Sequence, residues 1–163
     1  MLSKIFLILL FTVSATSAIF AAPGAGDLAP NIQLPFVDDS YGSITESNPG
    51  QTHTIIEFSA YACKWCRLGM PHLKDLAQRL AGKARILLIT PDSKYKTQKF
   101  LEELDINLPT AYDLDFVDFD AYGVGQTPQT FVIDKNRRIL YTHQDKALSS
   151  EVADHIYNLI MGN

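Results

Sequence analysis

Continuous apolar blocks alternate along the chain with stretches of helical spacing, and this order predicts an α/β fold. Residues 54–59, apart from Glu57, and residues 84–90 are apolar on both faces, as is typical of buried strands. The predicted strands cover residues 32–36, 42–45, 54–59, 84–90, 110–112, 129–133 and 138–142, and the predicted helices cover residues 64–81, 93–104, 115–122 and 149–161. Strands and helices in this order favour a mixed sheet covered on both faces.

Residues 1–22 have the pattern of a secretory signal peptide. Lys4 precedes a short apolar run, and small residues follow, with cleavage expected after Ala18 or near Ala22. An uncleaved anchor is the alternative, because residues 5–22 carry no charge over about the length that spans a bilayer. Either interpretation predicts a periplasmic or secreted protein, which is membrane-anchored if the signal stays uncleaved, in a compartment where disulfides persist.

Composition predicts one globular domain after this segment. The chain has 163 residues, of which 47% are apolar and 20% charged, so collagen-like and wholly disordered chains are excluded. Residues 23–30, rich in Gly, Pro and Ala, are expected to form a flexible leader, and residues 31–163 the domain. The net charge of −4 argues against a nucleic-acid partner.

Cys63 and Cys66 carry the most informative pattern in the sequence. They follow a predicted buried strand and occupy the first turn of a predicted helix, where free N–H groups and the helix dipole favour a thiolate. We therefore expect a lowered pKa for Cys63, which would be exposed and attack first. Cys66 would resolve the mixed disulfide. Lys64 adds a positive charge beside the thiolate, and Trp65 an apolar surface.

Two other interpretations of the cysteine pair are weaker. A structural zinc site needs four ligands, but a second CxxC is absent and the histidines show no ligand spacing: His53, His72, His143 and His155. A purely structural disulfide is disfavoured, because cross-linking so short a loop removes little entropy from the unfolded chain. We expect redox chemistry with no metal and no bound cofactor.

Two segments resemble the hallmarks of the thioredoxin superfamily. Residues 58–71 (FSAYACKWCRLGMP) resemble its active-site strand and helix, and residues 125–134 (GQTPQTFVID) its cis-proline loop. The TlpA-type branch is the most similar, which implies a thioredoxin fold: a central mixed sheet flanked by helices, with an N-terminal β-hairpin (residues 30–52) and an inserted strand–helix segment (residues 106–124). The resemblance implies that Thr127 and Pro128 face the cysteines and dock the substrate backbone.

Glu57 lies six residues before Cys63, in an apolar strand. Thioredoxins have a buried aspartate at the matching position, and periplasmic disulfide-forming oxidases have a glutamate. A buried carboxyl group should have a raised pKa and could move protons for Cys66. A solvated Glu57 is the alternative, but its apolar neighbours favour burial.

The predicted function is an exported thiol–disulfide oxidoreductase, in the reductase direction that the TlpA-type resemblance implies. Cysteine-containing exported proteins would be its substrates, a membrane thiol–disulfide partner would reset it, and a monomer is expected. Gly69 and Ala62 depart from the branch members that reduce apocytochrome c, and Lys64 favours an oxidant. The alternatives are a disulfide-forming oxidase or isomerase, a copper-binding chaperone of thioredoxin fold, and a peroxiredoxin-type peroxidase. Copper chaperones of this kind use CxxxC, and the two-residue spacer disfavours them.

Overall fold

The computed structural model describes residues 22–43, 53–144 and 146–162. The predicted signal peptide lies outside the described residues except for Ala22, as do residues 44–52 of the predicted hairpin segment. Within the described ranges, no helix has both the length and the apolar character needed to cross a bilayer.

Strands and helices alternate along the described chain much as the apolar pattern predicts. The strands are β1 (Gln33–Pro35), β2 (Tyr41–Ser43), β3 (His53–Phe58), β4 (Ala84–Thr90), β5 (Thr110–Tyr112), β6 (Gln129–Asp134) and β7 (Ile139–Gln144). The helices are α1 (Lys64–Arg79), α2 (Lys94–Glu103), α3 (Val117–Ala121) and α4 (Ser150–Met161). Ser93 and Ser149 cap α2 and α4, since each hydroxyl accepts a backbone N–H of the first turn.

The central sheet has five strands in the order β5-β4-β3-β6-β7. Strands β3, β4 and β5 are parallel, whereas β6 and β7 are antiparallel to their neighbours. The β1–β2 hairpin joins the β5 edge through a bridge between Phe36 and Ala111. The predicted fold class, a mixed sheet flanked by helices with an N-terminal hairpin and an inserted strand and helix, is confirmed.

Two apolar cores cover the two faces of the sheet. On one face, α1, α2 and α4 pack over Ile55, Leu88 and Val132. On the other face, α3 and the N-terminal segment pack against an aromatic cluster in which the ring centroids lie 4.9 to 5.8 Å apart: Phe58, Phe119, Tyr122 and Phe131. Alternate residues of β3 therefore point into different cores.

Part of the predicted leader is hydrogen-bonded to the sheet edge. Gly26 N–H donates to the Ile139 carbonyl at 2.8 Å, and Ile139 N–H donates to the Asp27 carbonyl at 2.9 Å. Ala29 is fully buried, and its N–H donates to the Arg137 carbonyl at 2.7 Å. Residues 26–29 thus run along β7, and the boundary between leader and domain stays a prediction.

Candidate active site

Cys63 is the N-cap of α1 and lies just beyond the carboxyl end of β3. A turn places it there, because its N–H donates to the Ala60 carbonyl at 3.0 Å. Its Sγ accepts the N–H of Cys66 at 3.0 Å, so a free donor of the first helical turn points at this sulfur. The arrangement can stabilise negative charge on the Cys63 sulfur.

Cys63 and Cys66 form a disulfide, and their residues differ in exposure. Cys63 is half-buried at the surface, whereas Cys66 is 1% exposed and belongs to the core beneath α1. A partner thiol or disulfide can therefore approach the Cys63 side of the pair more easily.

The Thr127–Pro128 peptide bond is cis, as the resemblance implies. These residues precede β6, and because β6 is antiparallel to β3 its amino end meets the carboxyl end of β3. The Thr127 carbonyl oxygen lies 3.4 Å from Cys63 Sγ. The predicted docking residues and the cysteine pair are thus brought together at one edge of the sheet.

Glu57 is buried, with 2% of its surface exposed. It alternates with Ile56 and Phe58, so its side chain shares the sheet face of Ile55, whose core includes Cys66. The Thr130 hydroxyl donates to Glu57 Oε2 at 2.6 Å. Burial outweighs that hydrogen bond and raises the pKa of Glu57 to about 7, a value suited to proton transfer near neutral pH.

Lys64 and Trp65 project from the first turn of α1 into solvent. Trp65 is 54% exposed. Leu68, whose spacing matches the core-facing residues of the helix, is instead exposed beside it. An apolar surface thus flanks the half-buried Cys63.

Tyr61, which lies two residues before Cys63, belongs to a polar cluster that the sequence analysis does not predict. Tyr61 N–H donates to Asp92 Oδ2 at 2.7 Å, and the Tyr61 hydroxyl donates to Glu103 Oε1 at 3.1 Å. Arg67 lies 2.9 Å from Glu103 Oε2, and its guanidinium packs over the rings of Tyr61 and Phe100. The only signal in the sequence is a charged residue directly after the CxxC.

Close packing against Leu148 explains why residue 69 is a glycine. A Cβ at this position would lie 2.8 Å from the backbone N of Leu148, so the segment before α4 rests on the α1 backbone. A longer side chain at this position would not fit without moving that segment.

Metal-binding clusters are absent from the described residues, in which no three His, Cys, Asp or Glu side chains group together. Asp113, the first acidic residue after β5, binds backbone N–H groups. The carboxylate of Asp113 accepts the N–H groups of Val117, Asp118 and Phe119 at 2.8 to 3.0 Å, which caps α3.

Comparison with known proteins agrees with the geometry. Residues 25–142 match the AhpC/TSA family. The thiol-disulfide oxidoreductase ResA of Geobacillus thermodenitrificans is 24% identical over 140 residues, which cover 85% of this chain and 79% of the relative. The thioredoxin-like protein YneN of Bacillus subtilis is 25% identical over 122 residues, or 72% of this chain and 70% of YneN.

Solved structures share the fold. A putative thiol:disulfide interchange protein DsbE from Chlorobium tepidum aligns with a TM-score of 0.75 at 20% identity, over 86% of this chain and 97% of that one. Peroxidoxin BcpB from Mycobacterium tuberculosis has the same TM-score and coverage at 21% identity. The resemblance to the TlpA-type thioredoxin branch is confirmed, and the chain belongs to the AhpC/TSA family as a thiol–disulfide oxidoreductase of thioredoxin fold.

Proposed function

We propose that this oxidoreductase is exported and reduces disulfides in exported proteins, with Cys63 as the nucleophile and Cys66 as the resolving thiol. The observation that carries the proposal is the asymmetry of the pair. Cys63 is half-buried at a helix N-terminus, 3.4 Å from the Thr127 carbonyl, whereas Cys66 is buried. Only the first sulfur is placed to meet a large protein substrate.

In the first step, the Cys63 thiolate attacks one sulfur of the client disulfide. A bond forms between Cys63 and that sulfur while the client S–S bond breaks, and the other client sulfur leaves as a thiolate. Cys66 then loses its proton and attacks the Cys63 sulfur, which releases the second client sulfur. Two electrons pass to the client, its thiolates take up protons, and the Cys63–Cys66 disulfide of the structure remains.

Glu57 is proposed to accept the Cys66 proton. Its carboxyl group lies on the α1 side of the sheet, and with a pKa of about 7 it is ionised in part of the molecules at neutral pH. The hydroxyl of Thr130 holds the carboxylate in place at 2.6 Å.

The client backbone is proposed to pass along Thr127 and Pro128, beside the half-buried Cys63. Trp65 would contact apolar side chains of the client. Lys64 would add a positive charge that stabilises the thiolate of Cys63.

The reductase direction rests on the TlpA-type resemblance, and export rests on the signal-like residues 1–22. A membrane dithiol partner would return the disulfide to the dithiol by the same exchange in reverse. The net charge of −4 fits protein clients rather than nucleic acid. We propose a monomer, in the periplasm or secreted.

The direction is tested by the reduction potential of the pair and by turnover. The wild-type protein should reduce insulin disulfides with dithiothreitol as electron donor and have a potential near thioredoxin's, about −270 mV. Cys63→Ser should abolish turnover, whereas Cys66→Ser should accumulate a mixed disulfide. A potential near about −120 mV would contradict a reductase and favour the oxidase alternative.

Export is tested by fractionating cells that produce the full chain, with N-terminal sequencing of the product. Recovery outside the cytoplasmic membrane with a new N-terminus near Ala18 or Ala22 would support a cleaved signal. Recovery of an uncleaved chain in the membrane would support the anchor, and recovery in the cytoplasm would contradict export.

A further inference from the structure

Arg67 places a positive charge near the N-terminal end of α1, the helix that Cys63 caps. Its N–H donates to the Cys63 carbonyl at 3.2 Å, so the two residues are four apart on one face of α1. Helical side chains lean toward the N-terminus, and Arg67 Nε reaches back to the Tyr61 carbonyl at 3.2 Å. The guanidinium therefore lies against the loop that precedes the redox pair.

Glu103 at the end of α2 holds the opposing charge. Its Oε2 lies 2.9 Å from the Arg67 guanidinium, and its Oε1 accepts the Tyr61 hydroxyl at 3.1 Å. Lys99 approaches the same carboxylate at 3.8 Å. The hydrogen bond from Arg67 is the largest cause of a lowered pKa at Glu103, so the carboxylate stays ionised at neutral pH.

These charges act unequally on the two redox states. The disulfide is uncharged, whereas reduction creates a thiolate at Cys63, which a neighbouring cation stabilises and an anion destabilises. A more stable thiolate makes the reduced protein more stable and the disulfide a stronger oxidant. The Arg67 and Glu103 side chains are 31% and 36% exposed, so solvent weakens their effect without removing it.

We propose that the Arg67–Glu103 ion pair sets the reduction equilibrium of the Cys63–Cys66 pair, Arg67 making the disulfide easier to reduce and Glu103 offsetting this effect. Neither residue touches the client; both act by changing the stability of the Cys63 thiolate. The inference rests on the redox chemistry of the proposed function but not on its clients or its direction.

A second ion pair, between α1 and the segment that directly follows α2, provides a matched control. Lys74 Nζ lies 3.0 Å from Asp105 Oδ2 and also donates to the Leu104 carbonyl. Lys74 is about two turns further along α1 than Arg67, so loss of its partner loosens the contact between α1 and the end of α2 without changing a charge that contacts Tyr61, two residues before Cys63.

The test measures the equilibrium constant with glutathione, in which two glutathione molecules lose two electrons and two protons to the protein disulfide and become one glutathione disulfide. Glu103→Gln should raise the constant for reduction about threefold, or about 14 mV, an effect ordinary for partly exposed charges. Arg67→Gln should lower it by a similar factor, and Arg67→Lys should restore it. Asp105→Asn should leave it unchanged.

Opposite changes for the two Gln variants support the inference, because a merely structural contact would shift both in the same direction. Equal changes in Glu103→Gln and Asp105→Asn, or no change in either Gln variant, would overturn it while leaving the proposed function intact. Failure of the wild-type protein to exchange with glutathione at all would instead overturn the proposed function, and this inference with it.

Discussion

Replacing Glu57 with glutamine should make the protein more stable at neutral and alkaline pH. Glu57 is fully buried, and desolvation raises its pKa from an ordinary value of 4.5 to about 7. Because each pKa unit corresponds to about 1.4 kcal/mol, ionisation of this carboxyl group lowers the free energy of unfolding by about 3 kcal/mol. Glutamine has nearly the same shape, and its carbonyl oxygen can still accept the Thr130 hydroxyl.

The pH window follows from the direction of the shift. Below pH 4.5, Glu57 is protonated in both the folded and the unfolded chain, so its ionisation does not change the free energy of unfolding. Between pH 4.5 and about 7 the unfolded chain ionises first, so stability falls as pH rises through this range. Above about pH 7 the free energy of unfolding stays lowered by the full amount. Because glutamine does not ionise, the stability advantage of the variant over the wild type should grow between pH 4 and pH 8.

Urea unfolding of the disulfide-bonded proteins, followed by circular dichroism at several pH values, measures this difference. With the cysteines oxidised, neither thiol titrates. Glu102→Gln, at an exposed position on α2, is the matched control and should follow the wild-type curve. If the unfolding free energies of the wild type and Glu57→Gln differ by the same amount from pH 4 to pH 8, Glu57 does not have a raised pKa in the folded protein.

Three other substitutions test the packing around the site. Gly69→Ala should destabilise the protein by about 1–3 kcal/mol, measured by thermal unfolding, because the new methyl group meets the Leu148 backbone; unchanged stability would contradict this close approach. Asp113→Ala should cost on the order of 2 kcal/mol, because its carboxylate accepts three N–H groups of α3, and hydrogen exchange of these amides should rise. Phe58→Ala should cost about 3–5 kcal/mol in urea unfolding, because Phe58 contacts three other rings; a loss below 1 kcal/mol would argue against that cluster.

Most of the fold could be predicted because its buried strands are continuous apolar blocks. Strand β4 begins at Ala84 and ends at Thr90, as its apolar run predicts. The inserted helix is shorter than predicted: it starts at Val117, because Phe116 adopts a left-handed conformation with φ of 57° and cannot continue a helix backward. Pattern alone carries no signal for that local conformation.

The features of the candidate site likewise divide into those that local sequence predicts and those that only the tertiary structure shows. Cys63, Cys66 and the burial of Glu57 could be predicted, because their evidence lies in one strand and the helix that follows. Arg67 and Glu103 meet only because the last turn of α2 lies against the beginning of α1, so their pairing depends on tertiary structure that residue spacing does not encode. The need for glycine at position 69 likewise comes from a segment distant in the sequence.

The proposed redox chemistry depends above all on the acidity and accessibility of the Cys63 sulfur. In reduced Cys66→Ser protein, Cys63 is the single thiol, and the pH dependence of its alkylation by iodoacetamide measures its ionisation directly. We expect rapid alkylation with a midpoint well below about 8.5, the pKa of free cysteine. A midpoint at or above that value, or a folded protein that iodoacetamide does not modify, would contradict it.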